Sequence, residues 1–512
     1  MRSSDLVLGS ALVACLLLAA CGVPTWDPAL HPNGDPTPAD AGEDAWLKVH
    51  MQSGDLFVLS EWDQPGAAGD LTGRGVLFDA DRVQRATGSH SIGRDSIALL
   101  ETNRREVVSR FSLSGLSVFT TLTALTTVVC LADPKSCFGS CPTFYTTEDA
   151  DRPLAEGFSS SFARALEARD IDRLGLVAQP GSFSLVMRNE AQETHAIRHV
   201  KLLAVPVGGA DDVLLSTDGR LFATSATRRA IGCDAGGLDC LEATQARDDV
   251  EYASRADEHD LAVREEMILD FGPANGDLGL VLSARQSFVT TYVFYQSLAY
   301  AGRSAGDLLA ALERGEPGAK ERVLGVADEL GGIEVLVQRS DETWELAGSF
   351  NEAGPIAADQ QVVRLGERSH DSLRVKLRMA RGSWRIDEIA LATLDTEVEP
   401  TVLVPDSVMP LMGTDADDDG RLEDPEQYLV TSQGDAHRLW FTIPNADAQH
   451  LFLDSRGYYY EWMREGWLTE EDPVLAAAVL LQPAEALRMM APGFKEIEPR
   501  MEELFWSSRF RR

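Results

Sequence analysis

The sequence predicts a mainly β protein with helical insertions, in the α+β class. We expect a small N-terminal β-barrel or roll, then antiparallel β-sandwich-like domains, and finally a helical C-terminus. Two observations predict this class. Short runs in which apolar and polar residues alternate recur from residue 45 onward, bounded by turn residues such as Gly and Asp. Longer segments with apolar residues three and four apart interrupt these runs and predict helices.

Composition and charge exclude several classes of protein. Of the 512 residues, 44% are hydrophobic and 25% are charged, which is ordinary for globular domains and excludes global disorder and a multi-span membrane protein. The chain carries 81 Asp and Glu residues against 46 Lys and Arg, a formal net charge of −35. Because nucleic-acid backbones attract basic surfaces, we expect no nucleic-acid partner.

The first 20 residues have the pattern of a targeting segment. An apolar run from Leu6 to Ala20 is too short to span a bilayer comfortably. The run ends in Leu18-Ala-Ala-Cys21, with small residues directly before a cysteine. A second match ends at Cys15, but a much shorter apolar run precedes that cysteine. We therefore expect a signal peptide over residues 1–20.

The segment around Cys21 resembles the lipobox of bacterial lipoproteins, in which small residues admit the signal peptidase and the thiol receives the lipid. The resemblance implies lipidation of Cys21, including palmitate, and a protein held at the membrane by this anchor. Gly22 follows in place of the Asp that would retain such a protein in the inner membrane, which implies the outer membrane, at its periplasmic or cell-surface face. The alternative is an ordinary secretory signal with incidental cysteines.

Three segments follow the lipobox. Residues 21–44 contain five prolines and are predicted to form a flexible tether. Residues 45–111 hold several short strand patterns, which predict the small barrel or roll. Residues 112–132 carry no charge and show one apolar helical stripe, so we expect an apolar helix there. That segment fits a marginal membrane helix, a helix lying on the bilayer, or a buried hairpin.

The rest of the chain divides into four predicted parts. Residues 133–303 predict a β-rich domain with a polar, cysteine-bearing loop. Residues 304–332 predict a helical connector. Residues 333–457 predict a second β-sandwich-like domain that carries an acidic loop. Residues 458–512 predict a helical C-terminal segment punctuated by prolines.

Helix boundaries are predicted best near the connector. Apolar residues between Phe288 and Ala299 lie at helical spacing, and Gly302 is placed to end that helix. Ser304 with Asp307 resembles a capping box, which predicts the start of the next helix. A further helix is predicted over residues 319–330, before two glycines.

Five cysteines follow the lipobox, in an exported compartment that permits disulfides. Cys233 and Cys240 bracket a turn-rich stretch with two adjacent glycines, which predicts a local disulfide. Among Cys130, Cys137 and Cys141, any one bridge leaves one thiol over. A zinc site built from these three is the alternative, although their spacing matches no zinc pattern.

Residues 415–426 form the sharpest chemical pattern. They fit the twelve-residue calcium loop, with acidic residues at loop positions 1, 3 and 5, Gly at 6, an apolar residue at 8 and Glu at 12. The pattern predicts a structural Ca²⁺ ion held by Asp415, Asp417, Asp419, the Arg421 carbonyl, Glu423 and Glu426. Pro405, Pro410 and Pro425 disfavour the helices that usually flank such a loop, and the alternative is a solvated acidic linker.

Other patterns have ordinary structural interpretations. His195 and His199 are four residues apart in a strand-like segment, where about 13 Å separates them and metal binding is disfavoured. Glu258-His259-Asp260 is interpreted as a solvated loop. The aromatic residues between Tyr458 and Trp467 are interpreted as core, with stacking on a sugar or peptide as the alternative. The sequence contains no nucleophile elbow, zinc-protease motif or phosphate-binding loop.

Three further segments resemble those of certain uncharacterised bacterial lipoproteins. They are Pro134–Tyr145, Asn189–His195 and Gly457–Arg464. The resemblance covers most of the chain after the tether, and it implies an exported, anchored, β-rich protein. It implies no activity.

Two functions follow from these observations. We expect a lipid-anchored cell-envelope protein that binds or scaffolds an unidentified protein or glycan without catalysis. The alternative is a secreted envelope hydrolase acting on glycan or peptide. A buried pocket with two facing carboxylates of shifted pKa would favour the hydrolase.

Overall fold

The computed structural model describes much of the chain, in two compact units: Met1–Ala132 with Met463–Glu471, and Asp133–Trp462 with Asp472–Arg512. The described residues are 23–31, 46–51, 53, 55–63, 70–79, 84–108, 141–147, 150, 152–191, 193–208, 212–248, 250–351, 354–412, 422, 427–444, 447–461 and 470–507. Among them, strands predominate and the sheets are antiparallel, which confirms the predicted mainly β class.

The first unit contains a six-stranded antiparallel sheet. Its strands are β1 (Val23–His31), β2 (Trp46–Met51), β3 (Leu56–Asp63), β4 (Leu71–Phe78), β5 (Gln84–Ile92) and β6 (Ile97–Val108). Their order is β1-β6-β2-β3-β4-β5. Alternate side chains point to one face, so Leu47, Val49 and Leu59 are buried together in a small core.

The predicted tether differs from the structure in one part. Val23–His31 forms strand β1 and pairs along its full length with Val108–Leu100 of β6. Backbone hydrogen bonding to an adjacent strand therefore orders a proline-rich segment that its composition predicts to be flexible. The predicted helix over residues 112–132 lies outside the described residues.

The second unit contains twenty-two further strands within the described residues. They are β7 (Thr143–Tyr145), β8 (Ala155–Glu156), β9 (Ala168–Ala178), β10 (Gly181–Arg188), β11 (Glu193–Pro206), β12 (Asp212–Leu215), β13 (Leu221–Arg229), β14 (Gly232–Ala235), β15 (Leu238–Asp239), β16 (Tyr252–Ala253), β17 (Arg264–Asp270), β18 (Ala274–Gln286), β19 (Ile333–Gln338), β20 (Trp344–Phe350), β21 (Asp359–His370), β22 (Arg374–Ala380), β23 (Trp384–Val398), β24 (Thr401–Leu403), β25 (Ser407–Met412), β26 (Leu429–Thr431), β27 (Ala436–Ile443) and β28 (Gln449–Glu461).

These strands form two β-sandwiches. In the first, sheet β25-β27-β10-β7-β8 packs on sheet β24-β11-β28-β9 through a core that includes Leu185, Phe441 and Leu453. In the second, sheet β12-β13-β23-β18-β21 packs on sheet β15-β14-β17-β22-β19-β20 through a core that includes Leu280 and Leu377. The β-sandwich prediction is confirmed.

The two sandwiches do not divide as the sequence predicts. We expected one β-rich domain over residues 133–303 and another over 333–457. Each sandwich instead takes strands from both ranges, because β10 pairs with β27 in the first and β18 pairs with β21 and β23 in the second. Complementary apolar faces rather than closeness along the chain select the partners.

Five α-helices complete the described part of the second unit. They are α1 (Phe288–Ala301), α2 (Ala305–Glu313), α3 (Ala319–Leu330), α4 (Pro473–Leu481) and α5 (Pro483–Ser507). Helix α1 ends at Gly302, and α3 spans the predicted residues 319–330. The predicted capping box is wrong, because the Ser304 side chain makes no capping hydrogen bond and a 3-10 turn over Gly302–Ser304 leads into α2 instead.

The predicted helical segment over residues 458–512 begins too early. Tyr458, Tyr459 and Tyr460 belong to strand β28, which pairs with β11 from Gln449 to Glu461. Aromatic side chains suit a strand packed on both faces, and Tyr458 and Tyr459 are buried. The helical C-terminus itself is confirmed, as α4 and α5.

Candidate functional site

A cavity of about 790 Å³ lies inside the second unit, between helices α1 to α4 and the first β-sandwich. Most of its wall is apolar. Six of the larger apolar side chains that line it are Phe162, Leu166, Phe294, Leu298, Val326 and Leu480.

Two unusually apolar helices form part of this wall. Helix α1 carries no charged residue and begins at Ser287, whose hydroxyl accepts the Val289 N–H at 3.2 Å. Helix α4 contains only apolar residues and begins after Asp472, whose carboxylate accepts the Val474 N–H at 2.9 Å. One side of α4 lines the cavity with Ala476, Val479 and Leu480. Because the helix is apolar all round, another side leaves Val474 exposed.

Polar side chains cluster where the strands meet the cavity. Cys141 lies two residues before β7, Glu156 ends β8, and Tyr459 lies in β28; all three are buried and line the cavity. The Cys141 thiol hydrogen-bonds the Glu156 carboxylate. The Tyr459 hydroxyl donates to the Ser159 carbonyl oxygen at 2.9 Å. We call Cys141, Glu156 and Tyr459 the polar cluster.

The Glu156 side chain is held in a close-fitting position. The Ile356 N–H donates to its Oε2 atom at 2.9 Å. A Cβ atom at Gly354 would lie 2.1 Å from the same oxygen, so only glycine leaves room for the carboxylate there. The segment around Gly354 is fixed in turn, because the Gln286 N–H donates to the Gly354 carbonyl oxygen at 3.1 Å.

Burial and negative charge keep the Cys141 thiol and the Tyr459 hydroxyl protonated. Burial raises the pKa of the Cys141 thiol, and the carboxylates of Glu156, Glu193 and Glu461 raise it further. Burial likewise raises the pKa of the Tyr459 hydroxyl. Because the thiolate rather than the thiol is the nucleophile, this environment suits hydrogen bonding and not covalent catalysis by Cys141.

Further polar side chains, buried or half-buried, lie on the strands that carry the polar cluster and on those paired with them. In the pairing of β11 with β28, His195 lies opposite Tyr459 and Glu193 lies opposite Glu461. The His195 Nε2 atom lies 2.8 Å from Glu193 Oε1, and both side chains are fully buried. The Tyr295 hydroxyl of α1 donates to Glu461. Strand pairing thus brings together side chains from distant parts of the sequence.

The three segments that resemble bacterial lipoproteins converge here. Cys141 belongs to Pro134–Tyr145, Glu193 and His195 to Asn189–His195, and Tyr459 and Glu461 to Gly457–Arg464. Sequence reasoning found these segments but not the cavity beside them. Glu156 and Gly354 carried no signal in the sequence, because a single carboxylate and a single glycine are too common to single out.

Carboxyl groups of raised pKa lie elsewhere in the second unit. Burial raises the pKa of Asp359 to about 7, and it raises the pKa of Glu388 as well. The Gln361 amide donates to Asp359 at 2.6 Å, and the Gln360 amide donates to Glu388 at 3.0 Å. Neither carboxyl group lines the cavity described above.

The predicted disulfide is confirmed. Cys233 and Cys240 are bonded, with a Cα–Cα distance of 5.2 Å, across the β14–β15 hairpin. Cys141 has a free, buried thiol. Cys130 and Cys137 lie outside the described residues, as does Cys21.

The predicted calcium loop also lies outside the described residues except at one position. Asp415, Asp417, Asp419, Arg421, Glu423 and Glu426 are not described, whereas Leu422 is buried in the core of the first sandwich. In the described part of the chain, no group of three or more His, Cys, Asp and Glu side chains is arranged to hold a metal ion. The calcium site stays a prediction.

The histidine pair is resolved as two separate contacts. His195 contacts Glu193, and His199 Nε2 lies 3.1 Å from Asp454 Oδ1. A register shift in β11 between Ile197 and His199 lies between the two histidines. His259 is exposed and lies 3.3 Å from Glu258.

Among the helices that the structure describes, none is long and apolar enough to cross a bilayer.

Comparisons with known proteins give distant similarities only. No protein-family model matches the sequence, and the search of curated proteins gave no match. Among solved structures, the mycobacterial arabinofuranosyltransferase AftD aligns at 11% identity over 87% of this chain and 33% of its own, with a TM-score of 0.17. Latent PorU from Porphyromonas gingivalis aligns at 8% identity over 86% of this chain and 32% of its own, with a TM-score of 0.12.

The secreted serine protease VesC from Vibrio cholerae aligns at 10% identity over 74% of this chain and 73% of its own, with a TM-score of 0.14. The chain spans about a third of the length of AftD and PorU. At these TM-scores the alignments support no argument about fold or function.

Proposed function

We propose that this chain is a lipid-anchored protein of the cell envelope that binds a small apolar or amphipathic molecule without catalysis. The observation that carries this proposal is the cavity. Its volume of about 790 Å³ falls in the range of ligand pockets, about 300–1,000 Å³, and such pockets combine apolar walls with a few placed polar groups. A small molecule therefore replaces the protein or glycan partner expected from sequence.

Binding fits the chemistry of the polar cluster better than catalysis does. A nucleophilic cysteine needs a lowered pKa, whereas burial and three carboxylates raise the pKa of Cys141. The imidazole of His195 hydrogen-bonds Glu193 and does not line the cavity, so it is not placed to act on a molecule bound there. The cluster thus offers fixed hydrogen-bonding groups at the wall of an apolar cavity.

The proposed location rests on the sequence. The Leu18-Ala-Ala-Cys21 pattern supports lipidation at Cys21 and an outer-membrane anchor. Expression of the Cys21→Ser precursor in a diderm bacterium with radiolabelled palmitate tests it. We expect an unprocessed, unlabelled precursor. Normal labelling of the variant would exclude the assignment.

The proposal also includes a structural calcium ion in the second unit and a rolled sheet in the first unit. Ca²⁺ bound by residues 415–426 would brace the loop that follows β25, since Leu422 at its centre is anchored in a core. The antiparallel sheet of the first unit would curl into the small roll that its short strands favour.

A fluorescent probe tests binding in the cavity. N-phenyl-1-naphthylamine, a neutral aromatic amine, fluoresces strongly in apolar surroundings, and we expect saturable binding to the mature protein. Ala476 lines the cavity on α4, so Ala476→Trp should fill part of the space and weaken binding by about tenfold, about 1.4 kcal/mol. Ala477, the next residue, is exposed, and Ala477→Trp provides the matched control. No saturable binding to wild type, or equal loss in both variants, would contradict the proposal.

A further inference from the structure

The walls of the cavity are not equally closed to solvent. In the described part of the chain, most lining residues are buried or half-buried, including all those that α1, α2 and α4 contribute. A residue that lines a cavity and is also exposed lies where that cavity meets solvent. The exposed lining residues therefore mark a mouth, and they are Ser160, Ala165, Lys320, Ala327, Asp328 and Asn351.

Helix α3 forms one side of this mouth. Residues three and four apart share one face of a helix, and the face of α3 that lines the cavity carries Lys320, Val323, Leu324, Ala327 and Asp328. At 1.5 Å per residue, the stretch from Lys320 to Asp328 is about 12 Å long. The mouth continues past the end of the helix, because a Cβ atom at Gly332 would lie 2.4 Å from Asn351 Oδ1.

The segment Ser160–Ala165 forms the other side. Ala165 lies in a 3-10 turn over Arg164–Leu166, and its N–H donates to Glu313 Oε1 at 3.3 Å. Glu313 is the last residue of α2, and a short connection leads from it to Ala319, the first residue of α3. The turn thus lies beside the start of α3, which brings the two sets of exposed lining residues to the same part of the surface.

Hydrogen bonds hold both sides in place. The Arg264 guanidinium of β17 donates to the carbonyl oxygens of Glu329, at 2.7 Å, and of Leu330 at the end of α3. Glu313, which holds the 3-10 turn, also accepts the Tyr460 hydroxyl at 3.1 Å. Because both sides are fixed in the folded protein, the mouth is open without a rearrangement.

The charged groups at the mouth do not share one sign. Lys320 and Asp328 lie at opposite ends of the lining face of α3. Glu167 also lines the cavity, and its carboxylate accepts hydrogen bonds from Arg198 and Arg456, each at 2.9 Å. We therefore expect the size of a molecule, rather than its charge, to control entry.

We propose that molecules enter and leave the cavity between α3 and Ser160–Ala165, and that the small side chains of Ala165 and Ala327 keep this route open. This inference rests on the proposed binding function and specifies the route into the same cavity. A larger side chain at the mouth narrows the path in both directions. It should slow association and dissociation alike and leave Kd unchanged, whereas Ala476→Trp fills the interior and raises Kd.

Stopped-flow fluorescence of N-phenyl-1-naphthylamine with the mature protein tests the route. Ala165→Trp and Ala327→Trp should each slow both rates about tenfold, a rise of about 1.4 kcal/mol in the barrier, without changing Kd. Ala165→Trp keeps the backbone N–H that binds Glu313. Ala477→Trp, at an exposed position of α4 that does not line the cavity, is the matched control and should bind at wild-type rates. Thermal unfolding checks that each variant is folded.

The concentration dependence of the rate tests whether the mouth is open beforehand. With excess probe, the observed rate for wild type should rise linearly with probe concentration, because no opening step precedes entry. A plateau at high concentration would show that a conformational change limits entry, and it would overturn the open mouth.

The outcomes separate this inference from the proposed function. If both mouth variants bind the probe at wild-type rates, or if they raise Kd without slowing association, the route is overturned while binding in the cavity stands. If wild type shows no saturable binding, the proposed function fails, and the inference fails with it. Slower association and dissociation in both mouth variants, with wild-type rates in Ala477→Trp, is the result that supports the route.

Discussion

A buried carboxyl group in the second sandwich should make folding stability depend on pH near neutrality. Asp359, the first residue of β21, is only 7% exposed. Its Oδ2 atom accepts a hydrogen bond from the Gln361 amide at 2.6 Å, whereas its Oδ1 atom has no partner among the residues described. Burial raises the pKa of Asp359 from 3.8 to about 7, although Gln361 and the Arg247 guanidinium favour the ionised form.

The sign of the effect follows from proton binding. Between about pH 4 and pH 7 the native state holds a proton on Asp359 that the unfolded state has released, so the free energy of unfolding falls as the pH rises through this range. One pKa unit corresponds to about 1.4 kcal/mol. Ionisation of Asp359 in the native state therefore costs up to about 4 kcal/mol at pH 8.

The Asp359→Asn variant removes this titration. The amide oxygen can still accept the Gln361 hydrogen bond, and the amide nitrogen takes the place of the partnerless Oδ1 atom. Urea unfolding of both proteins between about pH 5 and pH 8 should show the variant gaining stability over wild type as the pH rises. Asp371→Asn, at an exposed position in the same sandwich, is the control. A variant-minus-wild-type difference that is constant across this range would refute the reasoning.

Three further predictions concern the calcium loop and the cysteines. The melting temperature should rise in millimolar Ca²⁺, by the equivalent of about 1.4 kcal/mol at ten times Kd, and Glu426→Gln should abolish most of the rise; no response in wild type would leave residues 415–426 an acidic linker. Loss of the Cys233–Cys240 bridge in the double Ser variant should lower the free energy of unfolding by about 2 kcal/mol, since the bridge closes a sequence separation of 7 residues; equal urea midpoints would contradict this. Cys141 should resist iodoacetamide in the native protein and react once the protein is unfolded, as mapped by mass spectrometry; rapid native labelling would argue against a buried thiol of raised pKa.

Local features of the fold could be predicted from sequence, because neighbouring residues determine them. Helix α3 has its predicted bounds, since two glycines directly follow its last turn. The Cys233–Cys240 bridge was predictable because a short turn with two glycines brings the thiols together. The capping box at Ser304 failed because α1 leads into α2 through a 3-10 turn, which leaves no free helix N-terminus to cap.

The site could be predicted only in pieces. The segments that hold Cys141, Glu193 and Tyr459 were found, but the sequence does not state which segments meet. That information lies in strand register: Glu193 faces Glu461 because β11 and β28 pair over most of their lengths. The same pairing explains why Tyr458–Tyr460 form a strand where local spacing predicted a helix. Side-chain spacing reports a local preference, whereas a partner strand more than 200 residues away decides the outcome.

The interleaved strands of the two sandwiches also constrain how the chain can fold during its synthesis. Strand β10 pairs with β27, and β11 pairs with β24, β26 and β28. All four of these partner strands lie after residue 400, so they are synthesised much later than β10 and β11. Contacts of such long sequence separation make folding slow, because a long loop must close before any of them forms. Neither sandwich can therefore assemble while only the first part of the chain has been made. Until the segment after residue 400 has been made, β11 therefore lacks the strands with which it pairs in the folded protein.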